Sequence, residues 1–288
     1  MSILPQLILN SIIAGAIYTL VALGFNLIYG ATRFFNLTHG VIAAIGGYIV
    51  FFLTRTVGLG LYSSVIVGVL FAGLVGVILE KTIYLPLRRR KASNMILLVA
   101  SLGAFTALQA IVAILFTSQF QTLSDIFSNQ KVYQIFTGAI TQIQVITLIS
   151  GLVIMTLLIL VLNKTKFGRA VKAISDDEEV ARIVGINTNQ IIGWVFFIGS
   201  AIAGLAGILV GLDTGIEPTM GLNLLLKGII ASIIGGVGNI YAGVLGAFLL
   251  GFAENFGIWK ISGEWKDAIA FVLLIIFLIF RPKGIIRN

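Results

Sequence analysis

Residues 1–32, MSILPQLILNSIIAGAIYTLVALGFNLIYGAT, contain no charged side chain. The hydrocarbon core of a bilayer is about 30 Å thick and is crossed by about 20 residues of α-helix, so this stretch is long enough to span it. It has neither the basic n-region nor the small-residue cleavage site of a secretory signal peptide. It therefore predicts a transmembrane helix that the protein retains.

The composition of all 288 residues agrees with this prediction. Hydrophobic residues make up 58% of the chain, charged residues only 10%, and the mean hydropathy is +1.08. So few charges cannot cover the surface of a water-soluble globule, which excludes a soluble enzyme. We expect a membrane protein that is not an enzyme.

Cysteine is absent and His39 is the single histidine. These counts exclude disulfides and thiol nucleophiles and leave zinc chemistry without ligands, so no metal site and no cofactor are predicted. The sequence pI is about 9.8, but cytoplasmic loops that face anionic lipid explain basic residues of a membrane protein better than nucleic acid does. We expect a lipid bilayer as a partner and no nucleic acid.

Nine apolar segments predict an all-α, polytopic membrane protein with about eight to nine helical segments. The predicted helices are Pro5 to Tyr29, Asn36 to Leu53, Leu61 to Glu80, Asn94 to Phe116, Thr141 to Leu162, Ile191 to Leu212, Leu222 to Ile234, Ile240 to Phe256 and Ala268 to Phe280. The seventh and ninth are short for a full crossing. To cross the bilayer, the ninth predicted helix must begin among the charges near Glu264, or the Lys266 side chain must snorkel to the interface.

Glycines interrupt the apolar sequence between the seventh and eighth predicted helices, at Gly235-Gly-Val-Gly-Asn239. Such a cluster predicts a broken or re-entrant element. The segment from Lys227 to Gly236 also resembles His39 to Gly47, with one residue inserted. This similarity indicates inverted repeats of the transporter kind, and the alternative is chance similarity among small and apolar residues.

Basic residues concentrate in three segments: Lys81 to Lys91, Lys164 to Arg182, and the tail from Arg281 to Arg287. Positively charged loops face the cytoplasm, so these segments are predicted to lie inside. Counting helices then places Gln119 to Ile140, Asp213 to Met220, and Gly257 to Asp267 outside, together with the N-terminus.

The loop from Lys164 to Asn187 is the only substantial polar inner loop and carries nine charged side chains. Ser175 and Glu178 have the spacing of a capping box, which predicts a short helix from Asp176 to Val184 with an apolar stripe. One interpretation is an amphipathic helix on the membrane surface. Four consecutive acidic residues suit an anionic leaflet poorly, so we favour a docking helix for a cytoplasmic protein, with Ala181 and Gly185 small enough for close approach.

Neither a phosphate-binding loop nor a Gly-x-Gly-x-x-Gly fingerprint occurs in the sequence, so ATP hydrolysis would be the task of a partner. Coupling to an ion gradient usually requires intramembrane charges, and few candidates are present. Glu254 is predicted to reach the outer interface near the end of its helix. His39 and Lys227 are candidates for lining the pathway, the alternative being interfacial polar groups with local hydrogen bonds.

Two outer segments could receive a soluble partner. Asp213 and Glu217 lie in one of them, and residues 119–142, rich in Gln, Ser and Thr, form the other. Ordinary solvated loops have the same composition, which is the alternative interpretation.

The chain resembles the LivH-type inner-membrane permeases of branched-chain amino-acid ABC importers along nearly its whole length. The matching motifs are Phe35-Asn-Leu-Thr-His-Gly40 with its continuation to Tyr48, Leu85-Pro-Leu-Arg88, Phe167 to Ala173, Ala181 to Asn187, Ile233 to Ile240, and Arg281-Pro-Lys-Gly284. Together these motifs are specific, whereas none of them is specific alone. Many relatives carry an acidic residue where this chain has Val41, which weakens the assignment of a branched-chain substrate.

The resemblance implies an importer permease of the cobalamin-importer class in a bacterial inner membrane, working by alternating access. Its implied partners are cytoplasmic ABC ATPase subunits, a second permease subunit (LivM-like, or a copy of itself) and an extracytoplasmic solute-binding protein. Branched-chain or neutral amino acids are the expected substrates. Urea and short-chain amide permeases share the motifs, and a stand-alone channel or ion-coupled carrier is the alternative from another class.

Residues 1–288 are expected to form one permease domain, with a cytoplasmic coupling region at 163–190. The residues predicted to couple to the ATPase are Gly168, Arg169, Ser175, Asp176, Asp177, Glu178, Glu179, Ala181, Arg182 and Gly185. The residues predicted to line the translocation pathway are Asn36, His39, Gly40, Lys227, Gly235 and Gly236.

Overall fold

The computed structural model describes residues 3–123, 131–135 and 137–286. Most of these residues are helical, as predicted. The α-helices are α1 (Leu4–Thr32), α2 (Thr38–Arg55), α3 (Leu61–Leu79), α4 (Leu85–Arg89), α5 (Asn94–Phe116), α6 (Gln142–Lys164), α7 (Lys166–Asp176), α8 (Glu178–Ile183), α9 (Thr188–Thr214), α10 (Met220–Gly235), α11 (Ile240–Gly257) and α12 (Lys266–Phe280). A π-helical turn, Glu80–Tyr84, joins α3 to α4, and a 3₁₀ turn, Gly263–Trp265, precedes α12.

Each of the nine predicted segments corresponds to a helix, and the chain is an all-helical, multi-pass membrane protein. Seven helices of the described residues are long and apolar enough to cross a membrane, while α10 is a shorter apolar helix. The last helix begins among charges, at Lys266. Residues 124–130 and 136 of the predicted outer segment, and Arg287 of the predicted inner tail, lie outside the described residues.

The π-helical turn and α4 were not predicted, and neither were the following two features. The strands β1 (Val132–Ile135) and β2 (Gly138–Thr141) pair antiparallel as a small hairpin before α6. The polar inner loop forms two helices, α7 and α8, where one was predicted. Each strand has only four residues, so hydrophobic periodicity carries little signal for the hairpin. The helix α7 does have such a signal, because Phe167, Val171 and Ile174 recur at helical spacing, and the prediction did not use it.

The membrane helices form a buried centre and an exposed periphery. In the most apolar windows of α1 and α9, 72% of residues are buried, against 22% in α5 and 17% in α6. Because all of these helices are strongly apolar, exposure in α5 and α6 places large hydrophobic side chains where lipid can cover them. The centre consists of α1, α2, α9, α10 and α11.

Glycines allow the central helices to pack backbone against backbone. A Cβ added to Gly46 of α2 would lie 2.6 Å from the carbonyl oxygen of Gly204 in α9, and a Cβ added to Gly207 would overlap the carbonyl oxygen of Ala43. Small residues at helix interfaces replace the hydrophobic driving force that lipid does not provide. The glycines therefore set the distance between α2 and α9.

The loops gather at two opposite ends of the bundle. At one end Gln121 pairs with Ile216, and the Gln6 side chain accepts a hydrogen bond of 2.8 Å from the Ala139 amide. At the other end the amides of Ile285 and Ile286 donate to the carbonyls of Ile234 and Gly235. These two groups of loops coincide with the outer and inner sides predicted from charge.

Candidate functional site

The predicted coupling region folds back on the inner end of α6. Thr165 caps α7 by accepting a hydrogen bond of 3.1 Å from the Gly168 amide. Gly168 lies so close to the Leu162 backbone that a side chain would not fit. Val171 and Ile174 are buried on the same face, so α7 is held against the bundle while Arg169 stays exposed.

The predicted capping box of Ser175 and Glu178 is wrong. Ser175 lies in the last turn of α7, and its carbonyl oxygen accepts a hydrogen bond of 2.6 Å from the Arg33 side chain. Asp177 is the residue that caps α8, because its Oδ1 accepts from the amides of Glu179 at 2.8 Å and Val180 at 3.0 Å. Both Ser175 and Asp177 are good capping residues, and the sequence could not show that α7 continues through Asp176.

This correction predicts different effects at the two positions. Asp177→Ala is expected to destabilise α8 by about 1 kcal/mol through loss of its cap, whereas Ser175→Ala removes no capping oxygen. Hydrogen exchange of the α8 amides should accelerate about fivefold in Asp177→Ala and stay unchanged in Ser175→Ala. Equal acceleration in both variants would contradict the assignment of the cap.

Ion pairs tie α8 to the membrane helices. Arg88 of α4 pairs with Glu80, which is 1% exposed, and its Nη1 also lies 3.5 Å from Oε1 of Glu178. The same Glu178 oxygen lies 2.9 Å from Nη2 of Arg182. Glu178 thus anchors α8 to α4, a role that sequence reasoning missed although it had singled out Leu85-Pro-Leu-Arg88.

The outward side of α8 is apolar. Val180, Ile183 and Val184 are 54%, 83% and 69% exposed, whereas Ala181, predicted to meet a partner, is buried against the chain itself. Gly185 has a φ of +89° and open space around it, consistent with a tight turn after the helix. Three exposed aliphatic side chains on a charged inner loop form a surface that we call the α8 patch.

A polar cavity of about 400 Å³ lies beside α7, between the inner ends of α1 and α6 and the turn before α11. Asn26 of α1 binds this turn, accepting from the Gly238 amide at 3.0 Å and donating to the Asn239 carbonyl at 3.2 Å. Arg33 and Lys172 also line the cavity. A movement of α7 would therefore change the shape of this inner cavity.

Among the predicted pathway residues, Asn36 organises the start of α2. Its Oδ1 accepts hydrogen bonds from the Thr38 amide at 3.1 Å, the Thr38 hydroxyl at 2.6 Å and the Tyr84 hydroxyl at 2.9 Å. Asn36 and Tyr84 are both buried. The bonds satisfy groups at the helix start and connect it to the π-helical turn.

His39 is fully buried one residue after the start of α2. Its Nε2 lies 3.2 Å from the carbonyl oxygen of Val21, and its ring meets Phe25 edge to face. Val21 lies 11 residues before the end of α1 at Thr32, which is about 16 Å along the helix. Hence α2 begins well inside the depth of α1, and residues 33–37 enter the bundle before the helix starts.

Gly40 and Gly221 bring the beginnings of α2 and α10 together. A Cβ on Gly221 would lie 2.5 Å from the Gly40 carbonyl oxygen. Gly235 and Gly236 lie at the other end of α10, where the backbones of Ala242 and Ile286 cover them. The six predicted pathway residues therefore occupy different depths and do not surround one described cavity.

A buried charge cluster joins four helices. Nζ of Lys227 lies 2.5 Å from Oε1 of Glu254 and 2.8 Å from Oδ1 of Asp267, and the Tyr18 hydroxyl donates to Oε2 of Glu254 at 2.6 Å. Glu254 is 0% exposed, so the prediction that it reaches the outer interface is wrong. One feature of the sequence did indicate this pairing: Lys227 and Glu254 carry opposite charges and lie in two consecutive apolar helices.

In the part of the chain that the structure describes, no group of three His, Asp or Glu side chains could hold a metal ion. The site combines an exposed α8 patch, an inner cavity beside α7, and central helices packed through glycine.

Comparison with known proteins gives concordant matches over nearly the whole chain. A family model described as the permease component of a branched-chain amino acid transport system matches residues 7–278. The chain is 31% identical to the high-affinity branched-chain amino acid transport system permease protein LivH of Escherichia coli (strain K12), over 98% of this chain and 94% of that protein. It is also 31% identical to BraD, a permease protein of the same description from Pseudomonas aeruginosa, over 98% and 95%.

A solved structure shares the fold. The match is a chain of PsaBC from Streptococcus pneumoniae in complex with Fab, with a TM-score of 0.51 and 15% identity over 98% of this chain and 93% of that one. At this level of identity the likeness concerns the arrangement of helices alone.

Proposed function

The chain belongs to the family of permease components of branched-chain amino acid transport systems, and from this premise we propose which partners drive it and what it carries. It is a membrane-spanning permease subunit of an ABC importer. We assign it branched-chain or other neutral amino acids as substrates, moved by alternating access. Cytoplasmic ABC ATPase subunits supply the energy.

The α8 patch is the observation that carries this proposal. Exposed aliphatic side chains on an inner loop need a cover, and contiguous apolar patches mark interaction sites. Glu178 holds the patch to the bundle through Arg88, so a push on α8 reaches the membrane helices. These are the properties expected of a surface that docks an ATPase and receives its movement.

The contacts of α7 support a route from the patch to the pathway. Arg33 connects Ser175 to the inner end of α1, and α7 borders the inner cavity. Further along α1, Val21 contacts His39 at the start of α2. In our proposal, ATPase closure moves α7 and α8, and α1 transmits the movement to α2.

The substrate assignment rests on the relatives named for branched-chain amino acid transport. The family resemblance implies an acidic residue at the position of Val41, which is a buried aliphatic residue in this chain. Urea or a short-chain amide is therefore the second substrate class. Uptake of labelled leucine and of labelled urea by cells expressing the complete transporter distinguishes the two classes.

One observation favours the alternative mechanism, an ion-coupled carrier. Lys227 and Glu254 form a buried charge pair in apolar helices, and such carriers use pairs of this type. Uptake measured in membrane vesicles distinguishes the two mechanisms. The ABC proposal expects uptake that requires ATP and persists when ion gradients are collapsed, whereas a carrier shows the opposite dependence.

The remaining partners follow from the proposed importer. An extracytoplasmic solute-binding protein docks at the outer end, where Val132, Tyr133 and Ile135 of β1 are exposed. A second permease subunit, a copy of this chain or a LivM-like sister, completes the pathway. We propose that residues 1–288 form one permease domain with a coupling region at 163–190. This domain lies in a bacterial inner membrane.

Ile183→Glu tests the docking surface directly. A carboxylate at the most exposed position of the α8 patch should reduce co-purification of ATPase subunits from mild detergent at least tenfold, because the partner would bury an unpaired charge. Mass spectrometry of the purified complex measures the ratio of ATPase to permease. The variant retains the anchor at Glu178, which a charge reversal of Glu178 would destroy.

Met95→Glu is the matched control. Met95 is likewise an exposed apolar residue at an inner helix end, 70% exposed, but it lies in the first turn of α5 and is not part of the α8 patch. This variant should retain the ATPase. If Ile183→Glu retains it equally while both variants remain monodisperse, the proposed docking surface is incorrect.

A further inference from the structure

A groove between α3, α4 and α9 contains none of the residues predicted to couple to the ATPase or to line the pathway, although Asn189 and Gln190 at its edge are the last residues of the coupling region. Its volume is about 780 Å³, and we call it the inner groove. The residues that matter here are Leu74, Lys81, Arg89, Asn189, Gln190 and Trp194. It lies at the inner ends of these helices, beside the basic segment that was predicted to face the cytoplasm.

The polar end of the inner groove is cationic. Lys81 and Arg89 are exposed, and no ion pair to either is seen among residues 3–123, 131–135 and 137–286. The lining carboxylate, Glu80, is buried and already paired with Arg88. Asn189 and Gln190 add amide groups at the positive end of the 27-residue helix α9, which also favours an anion.

The π-helical turn places the two cations on one side. Lys81 and Arg89 are eight residues apart, whereas two α-helical turns take about seven, and a π turn takes up an extra residue. Both side chains therefore border the same groove. The turn at Glu80–Tyr84 therefore aligns the two cations, in addition to providing the contact with Asn36.

The other end of the groove is apolar and open to the membrane. Leu74 is 53% and Trp194 52% exposed. A Cβ added to Gly193 would meet nothing within 4 Å, so free space lies over the middle of the groove. Tryptophan at this level is typical of the membrane–water interface.

We propose that the inner groove binds one anionic phospholipid. The phosphate lies between Lys81 and Arg89, and an acyl chain lies along Leu74 and Trp194. Basic pockets between membrane helices on the cytoplasmic side bind such headgroups. In this groove the cationic end faces the cytoplasm and the apolar end faces the membrane, as the headgroup and the acyl chain of a lipid do. A lipid there would bridge α3–α4 and α9, and so stabilise the helices next to α8.

The test titrates the complete chain in mild detergent with phosphatidylglycerol, phosphatidylcholine or inorganic phosphate, and follows bound lipid by native mass spectrometry. One phosphatidylglycerol should bind preferentially. Lys81→Ala with Arg89→Ala should weaken its binding about 30-fold, which corresponds to about 1 kcal/mol for each cation.

Two further variants separate a built site from general attraction. Arg90→Ala with Lys91→Ala removes the same charge from the same loop outside the groove and should leave binding unchanged. Gly193→Leu removes no charge but fills the groove, and should weaken binding at least tenfold. Each variant is checked for an unchanged circular dichroism spectrum and elution volume.

Three results would overturn the proposal. The first is equal loss of binding in the Arg90/Lys91 variant, which indicates unspecific attraction. The second is competition by inorganic phosphate at the concentration of the lipid, which indicates an anion site. The third is a Gly193→Leu variant that changes the oligomeric state while lipid binding persists, which indicates that a second protein chain covers the groove.

Discussion

Glu254→Ala is expected to destabilise the protein by about 3 kcal/mol, because it removes the buried partner of Lys227 and leaves this ammonium only the exposed carboxylate of Asp267. The carboxylate is the centre of the charge cluster: Lys227 and Tyr18 both bind it, and it is 0% exposed. Its removal also deprives the Tyr18 hydroxyl of its acceptor. The free energy of unfolding, measured in detergent mixtures of increasing SDS content, should fall accordingly.

The double variant Lys227→Met with Glu254→Leu should recover most of the loss. Replacing a buried ion pair by hydrophobic residues of similar volume is often neutral or stabilising. Asp267→Asn is the control, since Asp267 is 69% exposed and its contribution is screened by solvent. A double variant as unstable as Glu254→Ala would show that the cluster acts through more than the balance of its charges.

The same variants address function. A cluster that only stabilises the fold allows the double variant to transport at a normal rate. A cluster that couples ions to transport does not, even when stability has been restored. Measuring uptake and stability in one set of variants therefore separates the ABC importer from the ion-coupled carrier.

Gly207→Ala is the second change for which we expect a large effect. The new methyl group would overlap the backbone carbonyl of Ala43, so α2 and α9 must separate at the point where Gly46 and Gly204 also meet. Overpacking of this kind costs about 1–3 kcal/mol. Because α2 carries His39 and Gly40, we also expect at least a tenfold loss of uptake.

Gly103→Ala is the matched control for Gly207→Ala. Gly103 lies in the middle of α5, and a Cβ there meets nothing within 4 Å. The helix propensity of alanine should make this change neutral or stabilising by up to about 1 kcal/mol. If the two variants have equal unfolding free energies, the contact between α2 and α9 is not as close as described.

The substitutions differ in how well the sequence anticipates them. Gly207 and Gly103 are both glycines inside apolar helices, and hydropathy treats them alike. Only the packing of α2 on α9 reveals that one of them has no room for a methyl group. The difference depends on a neighbouring backbone that is far away in sequence.

At the candidate site, too, some features were predicted from the sequence and others became apparent only in the structure. An apolar stripe was predicted for the helix from Asp176 to Val184, and the structure leaves its residues Val180, Ile183 and Val184 exposed. The cap of α8 was assigned to Ser175, but Asp177 provides it, since two residues only two positions apart were equally suited. The anchor through Arg88 was not predicted, because it joins residues 90 positions apart.

The sequence by itself determined that the chain is an all-helical membrane protein, where its helices lie, and which loops share a side. Those properties depend on the length of uncharged segments and on local charge, which are independent of tertiary contacts. Only the tertiary structure decided that Glu254 is buried with Lys227, that α2 begins beside Val21, and that Lys81 and Arg89 border one groove. These facts depend on which helices become neighbours, and close packing of backbones and pairing of buried charges select those neighbours.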